Sequence, residues 1–351
     1  MNGGGPVPVT IGVDVGGTKV LGVALDHEGK VLGEARAPTP AGGHGPGMHA
    51  VLATIADVVD RLAATAELTA AGSAGGVDNA GGHGGFPLGA GVPGLVDSEG
   101  RLLFAPNLPR AEGVDFAGGL AGLGGVSRVV VDNDATCAMV GEWRYGSAAG
   151  VANAVMVTLG TGIGGGLVVN GKVVHGAKGF AGEVGHMVIF PDGRACSCGQ
   201  RGCWECYASG TGLGRLAEEA LDGGRLDGVL ALAGGVRSAV RPEHVTQAAA
   251  EGDRGALEVL DELGWWIALG LSNLIAVLDP EVVVLGGGLM QAGDLVLAPT
   301  RRSLARLLEG GQRRPGVGLL PAALGELAGA VGAAVLARGT TRDMVVQGGA
   351  Y

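Results

Sequence analysis

His186, Cys196, Cys198 and Cys203 stand at a spacing that one divalent metal could gather, with Glu183 and Glu205 flanking them. One imidazole and three thiolates are the donor set of a closed, four-coordinate zinc site. Such a site leaves no position open for water, so the metal is expected to be structural rather than catalytic. The C-x-C-x4-C spacing suits a folded loop that carries all three sulfurs, with His186 arriving from just upstream. A disulfide is the competing explanation. Cys-x-Cys neighbours bridge with strain, and the N-terminal MNGGGPVP lacks the charged and apolar regions of a secretion signal. Of the five cysteines, four fall between 196 and 206, a density chance rarely gives. Cys206 and Cys137 are expected to be ordinary buried small residues.

Other stretches could handle phosphate. In D-V-G-G-T-K (14–19), Gly16 and Gly17 would let a turn present backbone N–H groups to an anion, beside the Thr18 hydroxyl and Lys19. Asp14 would face that anion only across a cation, the logic of Mg2+ on a nucleotide. The same residues would also serve an ordinary hairpin. A second turn, Gly160-Thr161-Gly162 running on through Gly164–Gly166, repeats the arrangement after another apolar strand, and two such turns suggest two similar halves clasping one polyphosphate. Gly286, Gly287 and Gly288 could let a flat ligand lie against the backbone, or could simply form a strand-to-helix turn. Asn107, between two prolines, holds an amide that can donate and accept. Asn133-Asp134 follows a buried strand; an acid there is ordinarily just a helix N-cap.

The elements positioning these residues follow from periodicity. Val9–Val15 and Lys19–Leu25 read as strands, as do Leu88–Val92, Val126–Asp132, Ala154–Leu159, Leu167–Val169 and Glu281–Leu285. Helical spacing covers 47–68, Ala135–Trp143, Tyr207–Leu221, two helices within 246–278 broken near Gly252, and a small-residue helix over 325–338. The Trp265-Trp266 pair is expected to pack, and the Gly-rich tract 72–85 to form a mobile surface loop.

A length of 351 residues is enough for two domains. The net charge of −10 supplies no basic footprint for nucleic acid or an anionic membrane. The most apolar helix is interrupted by Ser272 and Asn273, so it is expected in a core rather than in lipid. Cytoplasmic residence follows as an expectation, in keeping with reduced thiols.

The motifs at 14–19, 133–134, 159–166, 183–186 and 196–205 together resemble the ROK family of bacterial sugar kinases and repressors, from Val9 to Arg338. The resemblance implies an actin-like ATPase (ribonuclease H-like) fold: two α/β domains with a cleft between them that closes on sugar. The division expected is 1–127, joined by helix 325–338, and 128–324 carrying the zinc loop. It implies Asp134 as the general base, with Asn107, Asn133, Asp134, Glu183, His186 and Glu205 around a sugar. Gly16, Gly17, Thr18 and Gly160, Thr161, Gly162 become phosphate clamps, Asp14 the Mg2+ partner, and Gly286–Gly288 the adenosine platform. The reaction implied is ATP-dependent phosphorylation of a hexose 6-hydroxyl, with glucose favoured over N-acetylglucosamine, N-acetylmannosamine and fructose. ATP, Mg2+ and a structural Zn2+ are the cofactors, and a homo-oligomer (dimer or tetramer) is expected. The family's repressors carry a DNA-binding domain ahead of the first phosphate strand, for which no room is seen before Val9. A non-enzymatic sugar sensor is the remaining alternative, against which the intact Asp134 and both turns speak.

Overall fold

Glycines decide how closely the elements of the N-terminal half pack. The computed structural model describes residues 9–40, 48–64, 85–105 and 113–339; Asn107 and residues 72–84 of the Gly-rich tract lie outside these. Strands β1 (Thr10–Val15), β2 (Lys19–Leu25) and β3 (Val31–Pro38) form antiparallel pairs. After helix α1 (Met48–Ala63), strand β4 (Phe86–Val92) pairs parallel to β1. Short strands β5 (Leu95–Val96), β6 (Arg101–Phe104) and β7 (Val114–Asp115) form a small sheet of their own, followed by helix α2 (Phe116–Ala121). Strand β8 (Val126–Asn133) then pairs parallel to β4, giving the order β3-β2-β1-β4-β8.

The strands β1, β2 and β4 of this sheet are mostly buried, which is why they read as continuous apolar runs rather than alternating ones, unlike the edge strand β3. Helix α1 covers one side: a Cβ added to Gly22 would sit 2.4 Å from Val58 Cγ1. Helix α3 (Asp134–Tyr145) and the C-terminal helix (Ala328–Ala337) also belong to this unit. The C-terminal helix packs on β1 and β4, where Gly12 and Gly89 are register partners. An added Cβ at either would lie 1.9 Å from a carbonyl oxygen of that helix, Ala330 or Ala333 respectively. The paired glycines therefore form a groove that only a small-residue helix can enter.

The remaining elements include a second five-stranded sheet. Strands β9 (Ala154–Leu159), β10 (Ile163–Val169), β11 (Lys172–Val173), β12 (Val282–Gly286) and β13 (Gly318–Pro321) stand in the order β11-β10-β9-β12-β13, the strand order of the first sheet repeated. Helices α4 (Glu205–Ala208), α5 (Gly210–Asp222), α6 (Asp227–Leu232), α7 (Pro242–Ala250), α8 (Arg254–Leu278) and α9 (Asp294–Leu307) accompany it, so the C-terminal helix is α10. By length and composition α8 could cross a membrane. Its buried stripe, running from Ala256 through Leu263, Ile267 and Leu271 to Ile275, packs against α5, α7 and α9, as a core helix does. Gly252, with φ +90°, and the N-cap Asp253 separate α7 from α8 at the expected break.

Three local expectations are corrected. Residues 207–221 are not one helix: Ser209 is extended and its hydroxyl accepts from Gly212 N–H, which ends α4 and caps α5. Gly164–Gly166 are not turn but part of β10; a Cβ on Gly166 would lie 2.3 Å from Met139 Cβ, so the glycine admits α3 rather than bending the chain. The boundary drawn at 127/128 falls inside β8, whereas the first compact unit comprises Met1–Ala154, Gly166–Gly182 and Ala322–Tyr351, and the second Val155–Gly165 and Glu183–Pro321. The strand β8 extends the first sheet through β4, and α3 packs on α10.

Glu142 of α3 is fully buried, and its carboxyl oxygens accept N–H groups from Ser147 (2.8 Å), Ala323 (3.0 Å) and Leu324 (2.7 Å). That bond set anchors the chain as it returns toward α10. Glu142→Ala should lower the unfolding free energy by about 3 kcal/mol in urea titration, because buried N–H groups lose their acceptor. A loss under about 1 kcal/mol would show that water replaces the carboxyl there.

Candidate active site

In the first unit the chemistry collects at the ends of β1 and β8. Asn133, not Asp134, is the N-cap of α3: its Oδ1 accepts from Ala135 N–H (2.9 Å) and Thr136 N–H (3.1 Å). Its Nδ2 donates to the Gly94 carbonyl at 3.1 Å, which leaves one amide hydrogen for a ligand. Capping is thereby taken away from Asp134, whose partly exposed carboxyl accepts from Ala135 N–H at 2.8 Å and from its own backbone N–H. Burial raises the Asp134 pKa above the usual carboxylate range, although those backbone hydrogen bonds oppose the shift. A carboxylate free of structural duty and made more basic by its surroundings is suited to accept a proton.

Asp14, at the end of β1, is the most perturbed acid. Burial first, and the neighbouring charge of Asp134 second, push its pKa up to about 8, with Lys19 pulling the other way. Its Oδ1 is buried with no hydrogen-bond partner among the described residues, and a Cβ on Gly329 of α10 would lie 2.6 Å from its Cγ. An orphaned carboxyl oxygen beside a second acid fits a divalent cation, which would compensate both. Between β1 and β2, Gly16 N–H bonds to the Lys19 carbonyl at 2.9 Å, while the Thr39 hydroxyl donates to the Gly16 carbonyl at 2.7 Å. Gly17 has an ordinary φ, and a Cβ there would meet nothing within 4 Å. The protein's own packing does not require this glycine, whereas a ligand approaching the backbone would. The Lys19 ammonium is engaged by Glu326, which also binds Arg36, so Lys19 braces the turn.

In the second unit, Gly160-Thr161-Gly162 is docked onto the start of α5. Gly210 N–H donates to the Gly160 carbonyl (2.8 Å) and the Thr211 hydroxyl to the Thr161 carbonyl (2.7 Å). Thr211 was not foreseen; its signal is its place in the S-G-T that opens α5. Gly160 and Gly288 share the feature of Gly17, an ordinary φ with open space around the added Cβ. Gly287 differs: it has φ +87°, and its added Cβ would lie 2.5 Å from the Leu159 carbonyl oxygen, so the fold itself requires it.

Residues 183–206 form a tight loop. Cys196 N–H donates to the Gln200 carbonyl and Gly199 N–H to the Cys196 carbonyl, folding the three sulfurs inward. The ligand atoms of His186, Cys196, Cys198 and Cys203 all lie within 4.8 Å of one another. Cys198 and Cys203 sulfurs are 3.7 Å apart, and Cys196 Sγ is 3.7 Å from His186 Nδ1. Ligands bound to zinc at ~2.0–2.3 Å in a tetrahedron stand ~3.5–3.8 Å apart, so the donor set and spacing fit that ion. All five cysteines are free thiols. Burial raises the Cys196 pKa and pushes that of Cys203 up to about 11, so without a cation both would stay protonated at neutral pH. His186 turns Nδ1 to the sulfurs and its Nε2 lies 3.8 Å from Glu183 Oε2. The Glu205 carboxyl lies 3.7 Å from His186 Nδ1 through Oε1, and through Oε2 accepts from Ile163 N–H at 3.4 Å. Trp204, fully buried, donates its indole N–H to the Trp266 carbonyl, and Trp266 packs on Tyr207 with ring centroids 4.4 Å apart. The aromatic residues here are packing.

The sequence profile of the ROK family matches residues 10–340. The chain belongs to the ROK family. A glucokinase from Streptomyces coelicolor is 38% identical over 338 residues, 94% of this chain and 98% of that protein. The solved structure of a ROK family glucokinase from Streptomyces griseus in complex with glucose and AMPPNP superposes with a TM-score of 0.79 at 36% identity, covering 94% of this chain and 99% of that one. The xylose repressor of Bacillus subtilis is 29% identical over 74% of this chain but only 62% of its own length. The fold of these ROK sugar kinases, the actin-like ATPase fold, is the fold of this chain.

Because folding raises the Asp14 pKa, the folded state holds that proton more tightly than the unfolded one. Stability therefore falls as pH rises from about 4 through about 8. Asp14→Asn should raise the melting temperature by several degrees at pH 8 and by nothing near pH 4; a gain equal at both pH values would contradict the Asp14 assignment.

Proposed function

We propose that this ROK protein is a glucokinase, transferring the γ-phosphoryl group of ATP to the 6-hydroxyl of glucose. The observation that carries the reading is Asp134 of the first unit, relieved of capping by Asn133 and made more basic by burial; in the second unit His186 gives Nδ1 to the cysteines and leaves Nε2 for a hydroxyl. The relatives named glucokinase, 38% identical over nearly their whole length, support it.

Asp134 takes the proton as the sugar oxygen attacks, and the burial that raises its pKa makes that transfer easier. Glu183, His186 and Glu205, with the remaining amide hydrogen of Asn133, fix the sugar hydroxyls. Asn107, though outside the described residues, is assigned to the same ring. Backbone N–H groups of the 16–18 and 160–162 turns receive phosphate oxygens where the open glycines allow close approach. Gly288 takes the adenosine, with Gly286 and Gly287 setting its place. Asp14 would hold Mg2+, which supplies positive charge to the phosphates during transfer. His186, Cys196, Cys198 and Cys203 would hold Zn2+, which fixes the imidazole's tautomer and direction.

A coupled assay over glucose, N-acetylglucosamine, N-acetylmannosamine and fructose with ATP should give the highest kcat/KM for glucose. Asp134→Asn should lower kcat by at least roughly 1,000-fold while glucose still binds in calorimetry. Near-normal turnover in that variant, or a different preferred hexose, would overturn the corresponding part of the proposal.

A further inference from the structure

Asp132 and His175 form a pair that none of the roles above uses. Asp132, the residue before the Asn133 cap in β8, bonds in two directions: Oδ1 accepts from Asn133 N–H at 2.8 Å, and Oδ2 lies 2.7 Å from His175 Nε2. Its side chain is only 12% exposed, against 42% for His175, so the bond is shielded on the acid's side. His175 opens the loop that follows β11. Ala181 N–H closes that loop onto the His175 carbonyl at 3.0 Å. Gly179, with φ +95°, presses the loop on the 96–98 turn, where an added Cβ would lie 2.7 Å from the Val96 carbonyl oxygen. The loop ends at Gly182, with φ +104°, and the next residue, Glu183, begins the second compact unit.

One hydrogen bond thus touches two segments that the proposed reaction needs. On one side it grips the peptide preceding the Asn133 cap and Asp134. On the other it fixes the first residue of a closed loop whose last residue hands the chain to Glu183. We infer that His175 is a positioning residue for phosphoryl transfer, acting through Asp132 to hold the Asn133–Asp134 end of β8 and the 175–182 loop in one arrangement. The inference rests on the kinase reading for its effect on turnover, but the arrangement itself can be observed without it. The bond is strongest with a charged imidazole. Asp132, from β8, is the charged group that raises the His175 pKa, chiefly by this hydrogen bond; Lys178 on its own loop is exposed. A raised histidine pKa means the clamp is complete below the ordinary value of about 6.5 and is lost as pH rises through the folded value.

The test uses His175→Phe, His175→Gln and Asp132→Asn in the full chain. His175→Phe should lower kcat/KM for glucose roughly tenfold or more, since small misplacement of reacting groups is costly, while KM for ATP stays unchanged. His175→Gln keeps a neutral donor of smaller size than Phe, and should lack the decline of kcat/KM above neutral pH expected of wild type. Two readouts are independent of activity. The His175 imidazole should titrate above 6.5 by NMR in wild type and fall toward 6.5 in Asp132→Asn. The Asn133 and Gly182 amide resonances should shift in His175→Gln. Unshifted amides together with a wild-type pH profile in His175→Gln would overturn the inference. A wild type that phosphorylates no hexose would overturn the kinase reading instead, leaving the NMR outcomes to decide the clamp.

Discussion

Four donor atoms, from His186, Cys196, Cys198 and Cys203, converge inside a loop, residues 183–206, that backbone hydrogen bonds fold but that carries almost no regular secondary structure. Between the single 3-10 turn at Val184–His186 and the start of α4 there are only two isolated bridges, Val188 with Cys203 and Ala195 with Arg201. Packing of Cys203, Cys206 and Tyr207 with Ile189 and Trp266 orders part of the segment. In the proposed reading, a cation gathering three sulfurs and an imidazole would add to that order. In this reading the direction of His186, and the place of Glu183 and Glu205 around it, are consequences of metal binding, and the sugar-facing chemistry of the second unit depends on it.

A different constraint governs the first unit. The helix α10 reaches the sheet only because Gly12 and Gly89 sit side by side and present no Cβ. Its first turn then comes up against Asp14, burying a carboxyl oxygen without a partner among the described residues. The fold holds a destabilised acid that a divalent cation would relieve, a common bargain between stability and function. Glycines 17, 160 and 288, which the proposed reading sets against phosphate and adenosine, have open space where a Cβ would stand, in contrast to those at 12, 89 and 287, which the fold consumes.

Much of this was legible in the sequence because the signals are local. The cysteine spacing announced a four-donor cluster, and the apolar runs ending in Gly-Gly-Thr and Gly-Thr-Gly announced strands and turns. The break at Gly252 followed from a residue whose φ only glycine adopts easily. Signals that depend on distant partners were not legible. Nothing near Asp132 tells that His175 lies beside it, and nothing near Lys19 tells that Glu326 takes its charge. Helix ends misled where capping intervened: Ser209 split an apparently continuous helix, and Asn133 took the cap that the sequence offered to Asp134. Gly164–Gly166 read as a turn because glycine that admits a neighbouring helix looks the same in sequence as glycine that bends the chain.

The central claim is that a bound metal aims His186 at the sugar. Its most direct measurement is a calorimetric titration of glucose into protein stripped of metal by a chelator, and again after stoichiometric zinc is restored. The account predicts that glucose binding is lost on stripping and returns with zinc. Equal glucose affinity in the stripped and restored protein would contradict it.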